Sequence, residues 1–313
     1  MGVKNLSQFL NAHCSEVIKR LNIYQLKNKR IVIDTNMYLY QFLKASTILE
    51  GLYDMINILL YFQIEPVFIF DGKPPKEKKM VLDINRQKKK KAEALYKTSM
   101  NSTHAEKERM RKKFVRLTTK DINEAKELMD AYGLQYFVAD GEAEQLCAKL
   151  VKMNYAYACL SEDTDLFLYE CPRVLKNFDT NKCTIEIHCL QDFYKKLKIT
   201  KDEFKEICVL SGTDYNFELT KYVNIHYIYK IFTNYKLENY VGNFINYLIN
   251  NKTRFNLDVY LKMCYDKFDK VLMMFTTNET DITRIVKSKQ NDMLINKERV
   301  MNIMRRDNFI FLR

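Results

Sequence analysis

Glycine and proline are scarce in this chain of 313 residues, which contains 7 Gly and 4 Pro. Linker-rich and disordered chains are enriched in both residues, so their scarcity argues against those classes. Because 47% of the residues are hydrophobic, the chain can bury a sizeable core. The length allows one large domain or two modest ones, and we expect a single domain over residues 1–313.

Long apolar runs are also missing. No run of 18 apolar residues occurs, which excludes an ordinary membrane-spanning helix. The first residues, MGVKNLSQFL, lack the apolar core of a signal peptide. Leu6 stands where the myristoylation pattern requires Ser or Thr. The sequence therefore predicts a soluble intracellular protein with no membrane partner.

The 8 cysteines form no C-x-x-C pair, the spacing that zinc knuckles and ribbons use. His188 and Cys189 are adjacent, but no second pair supports a zinc site with them. Several cysteines lie inside apolar runs, where free thiols are commonly buried. We therefore expect structural thiols and no zinc.

Positive charge is in excess, with a formal net charge of +12, and it is concentrated between residues 76 and 120. Clustered basic residues most often face nucleic acid. The alternative is a solvated helical hairpin, since many lysine runs are only that. The segment directly follows an acid at the end of a predicted strand, which favours a role facing phosphates.

Four apolar runs rich in Val, Ile, Phe and Tyr predict strands that are covered on both faces. Helical patterns lie between them, over 53–62 and over 121–133, and the second ends at Gly133. This alternation predicts an α/β fold with a mostly parallel central sheet flanked by helices. Beyond about residue 200 the chain reads as helical, with one helix ending near Gly212. The four runs are 30–36, 65–72, 134–140 and 155–163.

Acidic residues follow each of these runs. The carboxyl ends of parallel strands meet at one edge of a sheet, where ligands bind. Hard divalent cations prefer carboxylate oxygens, and two ions about 4 Å apart can hold the attacking and leaving oxygens of phosphodiester hydrolysis. The candidate metal ligands are Asp34, Asp71, Glu142, Glu144, Asp163, Asp165 and Asp214.

Spacing predicts the local geometry of two acid pairs. Asp163 and Asp165 would point the same way in an extended segment. Glu142 and Glu144 share this spacing and would diverge inside a helix, so Glu142 should lie at or before a helix N-terminus. Taken singly, each acid also has an ordinary interpretation; Glu144 could complement a helix dipole.

Five motifs together resemble the flap endonuclease / XPG (Rad2) family of structure-specific 5′ nucleases. Their order and spacing match over roughly residues 1–215. The motifs are VIDTNMYLYQFL, PVFIFDGKPP, GEAEQLCAKL, SEDTDLF and LSGTDYN. The resemblance implies a PIN-like 5′ nuclease core and two Mg²⁺ ions held by all seven acids, with Mn²⁺ able to substitute.

The resemblance also implies a basic helical arch over residues 76–120, between nuclease regions 1–75 and 121–215. Lys78 resembles the family's catalytic lysine and Arg86 its arch arginine, cations that would stabilise charge on the scissile phosphate. Tyr40 resembles an aromatic residue that stacks on a base; packing beside Phe42 is the alternative. The implied catalytic set is Lys78, Arg86, Asp34, Asp71, Glu142 and Asp163. The implied DNA-binding set is Gly2, Tyr40, Lys78, Lys79, Arg86, Lys88, Lys89 and Lys221.

The chain departs from the family pattern in three places. The segment after YQFLKAS is short, which removes a loop that binds the 3′ flap. After Asp214 the family has a glycine-rich hairpin that binds K⁺ and duplex phosphates. This chain has no Gly from 213 to 241, which argues against close backbone approach and leaves Lys221 as the phosphate contact. In the C-terminal region, 216–313, the nearest candidate for a sliding-clamp motif, QNDMLINK, lacks the aromatics.

The resemblance implies a Mg²⁺-dependent 5′ flap endonuclease with 5′ exonuclease activity, acting as a monomer on branched or 5′-flapped DNA in replication, repair or recombination. Within the family, a mainly exonucleolytic or junction-resolving enzyme stays open. An RNA-directed nuclease and a non-catalytic DNA-end-binding protein are further alternatives, although a binder gains nothing from acids facing phosphates. Frequent Lys, Asn, Ile and Tyr are typical of AT-rich genomes, including those of large DNA viruses. We therefore expect the nucleus or, for a virus, the host cytoplasm or viral factory.

Overall fold

A computed structural model describes residues 2–98, 103–276, 282, 285, 294–307 and 309–311. One sheet of seven strands forms its centre. The strands are β1 (Lys19–Asn22), β2 (Arg30–Asp34), β3 (Glu65–Phe70), β4 (Gln135–Val138), β5 (Ala158–Leu160), β6 (Arg173–Asp179) and β7 (Thr184–Cys189). Their spatial order is β1-β7-β6-β5-β2-β3-β4.

The sheet is parallel across β6, β5, β2, β3 and β4. Strand β7 reverses the direction, pairing antiparallel with both β6 and β1. The prediction of a mostly parallel sheet is therefore confirmed. The run 155–163 yields a strand of only 3 residues, Ala158–Leu160.

Helices cover both faces of the sheet, and side chains alternate between two buried cores. In β2, Val32 belongs to one core, whereas Ile31 and Ile33 belong to the other. Two-sided burial explains why the strand sequence is apolar throughout. The helices are α1 (Leu6–Cys14), α2 (Thr35–Ala45), α3 (Ile48–Tyr61), α4 (Lys79–Thr98), α5 (His104–Arg111), α6 (Thr119–Tyr132), α7 (Ala143–Lys152), α8 (Asp165–Leu168), α9 (Leu190–Leu197), α10 (Lys201–Ser211), α11 (Ile225–Leu237), α12 (Phe244–Asn250), α13 (Asp258–Met274) and α14 (Lys297–Arg306).

Local sequence sets the ends of the helices that lead into the site. α6 starts at a capping box of Thr118 and Asp121 and ends at Gly133, whose φ of 67° is left-handed. α10 ends at Gly212, as predicted. Only Ser46 and Thr47 separate α2 from α3, so the short connection seen in the sequence is a direct helix–helix junction.

The basic segment 76–120 contains a 3₁₀ turn (Lys76–Lys78) followed by α4 and α5. Arg116 in this segment pairs with Glu93 of α4 at 3.1 Å, and the rings of Tyr96 and Phe114 are 5.3 Å apart. α4 has 20 residues and buries none of them, so its lysines are available to a partner.

The C-terminal helix packs on α6. The Asn296 N–H donates to the Ala131 carbonyl at 2.8 Å, and Arg306 pairs with Glu127 at 2.8 Å. Half of QNDMLINK, residues 290–293, lies outside the described residues. In the described part of the chain, none of the helices has both the length and the apolar character that a membrane crossing requires.

Candidate active site

The sheet and its flanking helices bring the seven predicted acids to one edge. Asp34 is the last residue of β2, and Asp71 directly follows β3. Burial raises the pKa of Glu144 well above its usual value, and the nearby Asp34 and Asp163 carboxylates raise it further. The same interactions link every member to at least one other: Asp34, Asp71, Glu142, Glu144, Asp163, Asp165 and Asp214.

Asp34 and Asp163 are held together by Ser161. The Ser161 hydroxyl donates to Asp34 Oδ2 at 2.8 Å, and the same Oγ accepts the Asp163 N–H at 3.0 Å. Burial, with a smaller effect from Asp71, raises the pKa of Asp34 to about 8. The strand-end acid therefore retains a proton near neutral pH unless a cation is brought close to it.

Asp163 and Asp165 lie in a turn and not in the extended segment that their spacing predicted. Thr164 has helical dihedral angles, φ −86° and ψ −13°, because α8 begins at the next residue. The Asp165 N–H donates to Asp163 Oδ1 at 3.0 Å, which closes the turn. The prediction was wrong because it ignored this side-chain bond, which competes with extended backbone.

Gly2 lies directly against this turn. Its φ of +91° is left-handed, and a Cβ there would be 2.4 Å from Asp163 Oδ1 and 3.0 Å from Asp165 Oδ1. The following residue, Val3, donates its N–H to Thr164 Oγ1 at 3.0 Å. The start of the chain is thus part of the acidic site.

Glu142 is the N-terminal capping residue of α7, as its spacing with Glu144 predicted, but its side chain does not cap the helix. Instead, Asp71 Oδ1 accepts the Ala143 N–H at 3.0 Å, which supplies the cap from the neighbouring strand. The Glu142 carboxylate is left free to face the site. There, its Oε2 accepts the Tyr215 hydroxyl at 2.7 Å.

Lys78 lies among the acids. Its Nζ is 2.6 Å from Glu142 Oε1, 3.6 Å from Asp214 Oδ2 and 3.7 Å from Asp165 Oδ2, and its side chain is 8% exposed. Burial alone would lower the pKa of Lys78, but the surrounding carboxylates outweigh it and raise the pKa above its usual value. The charged ammonium therefore neutralises part of the acidic cluster.

The buried carboxylate oxygens that accept no hydrogen bond fit divalent metal. Within the described residues, both oxygens of Asp165, Glu144 Oε2 and Asp214 Oδ2 are buried without a hydrogen bond. Buried polar atoms normally have partners, and carboxylate oxygens are what Mg²⁺ binds. In the same described residues, no three His, Cys, Asp or Glu side chains form a ready-made ion site. The Lys78 ammonium instead supplies positive charge among these carboxylates.

Of the predicted residues in the basic segment, Lys89 contacts the predicted stacking residue Tyr40, whereas the others are exposed on α4. The Lys89 Nζ lies 4.7 Å above the half-buried ring of Tyr40, while Phe42 packs on Gly51 instead. Arg86 pairs with Asp83 at 3.3 Å and is 68% exposed, so the structure does not bring it to the acids. Lys79 and Lys88 are also exposed on α4.

The hairpin after Asp214 forms without glycine. A 3₁₀ helix (Phe217–Lys221) is followed by a short turn and by α11, which is capped by Asn224. Lys221 is exposed there. The Thr220 carbonyl of this hairpin accepts a hydrogen bond from the Lys4 ammonium at 3.1 Å.

Three residues that contact the acidic site or the hairpin were not predicted. Tyr215 and Ser161 lie inside quoted motifs, directly beside acids, and that proximity was the available signal. Their partners, Glu142 and Asp34, are distant in sequence and meet them only in the fold. Nothing in the sequence links Lys4 to the hairpin, because 216 residues separate it from Thr220.

Comparisons with known proteins agree with this geometry. Family models match the XPG N-terminal domain over residues 1–94 and the XPG I-region over residues 133–214. A flap endonuclease 1 from Candida dubliniensis is 30% identical over 278 residues, which cover 82% of this chain and 73% of that protein.

Solved structures share the fold. The catalytic core of Rad2 in complex with DNA substrate is 24% identical, with a TM-score of 0.71 and coverage of 97% of this chain and 94% of that one. Human GEN1 in complex with Holliday junction DNA is 21% identical, with a TM-score of 0.67 and coverage of 97% and 74%. The family matches and the curated relative show that the chain belongs to the flap endonuclease / XPG family of nucleases.

Proposed function

We propose that this protein is a structure-specific 5′ flap endonuclease with 5′ exonuclease activity, acting as a monomer on branched or 5′-flapped DNA. One observation carries the proposal. Glu142, Asp165 and Asp214 surround Lys78 at the base of an exposed basic helix, and the other four acids interact with these in the same cluster. Such a surplus of carboxylates has no use in a protein that only binds phosphates, but it suits one that hydrolyses them.

The acids would hold two Mg²⁺ ions, or Mn²⁺ in their place. When bound, these ions would activate water and stabilise the leaving oxygen of the phosphodiester. The buried carboxylate oxygens of Asp165 and Glu144 that accept no hydrogen bond support this assignment. The ligand set would be Asp34, Asp71, Glu142, Glu144, Asp163, Asp165 and Asp214.

Lys78 would exchange its ion pairs with the acids for contact with the scissile phosphate. Its raised pKa keeps the ammonium charged, so it can stabilise negative charge that develops on the phosphate oxygens. Because Lys78 immediately precedes α4, capture of a single strand by that helix would also reposition this lysine. Tyr215 would keep Glu142 oriented through its 2.7 Å hydrogen bond.

The segment 76–120 would form the arch for the single-stranded flap. Lys79, Lys88 and Lys89, with Arg86, would contact phosphates there. The Tyr40 ring would stack on a base near the cut after Lys89 leaves its face. DNA of this kind is found in the nucleus or, for a viral enzyme, in the host cytoplasm or viral factory.

The test is cleavage of 5′-labelled double-flap DNA in Mg²⁺ and in EDTA. We expect release of a short flap that requires Mg²⁺ and falls by at least about 100-fold in Asp163→Ala. Glu162→Gln is the matched control, because the Glu162 carboxylate turns away and accepts the Asn177 N–H at 2.6 Å. Equal cleavage by wild type and Asp163→Ala would refute the metal site.

Other substrates separate the alternatives. Mononucleotide release from plain duplex ends, with flaps ignored, would indicate a mainly exonucleolytic enzyme. Preferred cutting of a four-way junction would indicate a resolvase, and preferred cutting of the ribonucleotide version of the flap would indicate an RNA-directed nuclease. Tight binding without cleavage would indicate a DNA-end-binding protein.

A further inference from the structure

Lys4 connects the acidic site with the hairpin. Its N–H donates to the Gly212 carbonyl at 3.4 Å, and its Nζ donates to the Thr220 carbonyl at 3.1 Å. Gly212 and Thr220 are themselves packed together, since a Cβ at Gly212 would lie 2.5 Å from Thr220 Cγ2. The preceding residue, Val3, is fixed to Thr164 by a 3.0 Å hydrogen bond. The backbone of Lys4 is therefore held in place, and its exposed ammonium lies against the hairpin.

The carbonyl that Lys4 contacts is a natural site for a cation. Thr220 lies at the end of a 3₁₀ helix, where carbonyl groups lack partners within the helix and carry partial negative charge. An alkyl ammonium is a monovalent cation with three donors and no acceptor. Lys4 thus supplies, through a covalently attached group, what a bound monovalent ion would supply to this oxygen.

The surroundings of Lys4 suit a phosphate. A cavity of about 530 Å³ opens beside the hairpin, and the residues that line it include no acid. Lys4, Lys221 and the polar side chains of Asn224 and Tyr227 face it. One N–H of the ammonium is used by Thr220, and the others remain for an anion in the cavity.

We propose that Lys4 replaces the K⁺ ion that the family resemblance implies for this hairpin, so that duplex binding does not require K⁺. The residues present do not fit K⁺, because the Lys4 ammonium already occupies the Thr220 carbonyl and would repel a second cation beside it. The part of this proposal that concerns duplex binding rests on the proposed function. The cation assignment itself can be tested without DNA.

The first test is thermal unfolding in the chlorides of K⁺, Na⁺ and tetramethylammonium at equal ionic strength. Wild type should have the same Tm in all three salts. Lys4→Met should have a lower Tm that K⁺ selectively raises, by about 2 °C, because the freed carbonyl can then bind the ion. Lys221→Met, on the same cavity but without the carbonyl bond, should show no selectivity. A K⁺-selective rise in wild type, or no change in Lys4→Met, would overturn the proposal.

The second test is the affinity for double-flap DNA in EDTA, measured by fluorescence anisotropy in the same salts. Wild type should bind equally well in all three. Lys4→Met should bind about tenfold more weakly in Na⁺ and recover in K⁺, whereas Lys221→Met should be weakened equally in every salt. Tighter wild-type binding in K⁺ would contradict the proposal. Absence of DNA binding together with the expected Tm pattern would support the cation assignment and refute the proposed function.

Discussion

Lys78 determines the charge balance of the acidic site at the scale of single residues. We predict that Lys78→Met destabilises the metal-free protein by about 3 kcal/mol, because Glu142, Asp165 and Asp214 lose their buried counter-ion. Urea unfolding in EDTA measures the difference. Lys79→Met removes an adjacent but exposed charge and should cost less than about 0.5 kcal/mol.

The same substitution has a second expected outcome. In wild type the Lys78 ammonium already neutralises part of the acidic cluster. Mg²⁺ should therefore stabilise Lys78→Met, in which that charge is missing, more than it stabilises wild type. Cleavage should nevertheless fall by at least about 100-fold, since no ammonium then faces the scissile phosphate. Equal stability of Lys78→Met and Lys79→Met in EDTA would show that the ion pairs at Lys78 contribute nothing.

At this scale the sequence predicted the acids but not the groups that position them. Carboxylates at the ends of apolar runs can be predicted to lie close together, because the carboxyl ends of the strands meet in a parallel sheet. The roles of Ser161 and Tyr215 were not predicted, because a hydroxyl beside an acid has many possible partners. Only the fold shows that Ser161 contacts Asp34 and that Tyr215 contacts Glu142. Arg86 was assigned by resemblance alone, and in the structure it pairs with Asp83, one turn earlier on α4.

Helix α4 carries the largest expected contribution to DNA binding among the elements. We predict that Lys88→Ala with Lys90→Ala weakens flap binding and reduces the slope of log K against log salt by about 1.4. This value corresponds to about 0.7 for each phosphate of the single strand that a lysine no longer neutralises. Anisotropy titrations from low to high salt in EDTA measure the slope.

A control of equal charge separates position from net charge. Lys195 and Lys201 are exposed on α9 and α10, and their double alanine variant removes the same two charges. We expect its salt slope to match that of wild type. Equal reductions of the salt slope in both double variants would mean that DNA binding depends only on the overall charge of +12 and not on the position of the lysines.

The elements that were not predicted share a physical cause. β2 and β3 were found because burial on both faces makes their sequences apolar throughout. β1, by contrast, contains Lys19, Arg20 and Asn22 and is largely exposed at the sheet edge. β6 and β7 form an antiparallel pair in which polar residues interrupt the apolar pattern, for example Lys176 opposite Glu186. Such strands owe their formation to pairing and not to a strong local pattern.

The whole molecule should lose stability in mild acid through His188. Burial, together with Lys176, lowers the pKa of His188 to about 4, although Glu186 acts in the opposite direction. The folded state keeps the imidazole neutral, while the unfolded chain takes up a proton below its ordinary pKa of about 6.5. The contribution is therefore complete above about pH 6.5 and is lost as the pH falls towards 4.

The size of this effect follows from the difference between the pKa of His188 in the unfolded chain and its pKa in the folded protein. At pH 5 the loss should be about 2 kcal/mol, since one pKa unit corresponds to about 1.4 kcal/mol. Urea unfolding of wild type and His188→Gln at pH 7 and pH 5 tests it, and the variant should lose about 2 kcal/mol less between the two values. Parallel pH dependence in the two proteins would refute the assignment to His188.

The contact of Gly2 with Asp163 has a practical consequence for anyone producing this enzyme. Any side chain at position 2, even the single added carbon of alanine, would lie too close to a carboxylate oxygen. A cloning scheme that changes the second codon would therefore disturb the acidic site. Recombinant protein should keep glycine at position 2.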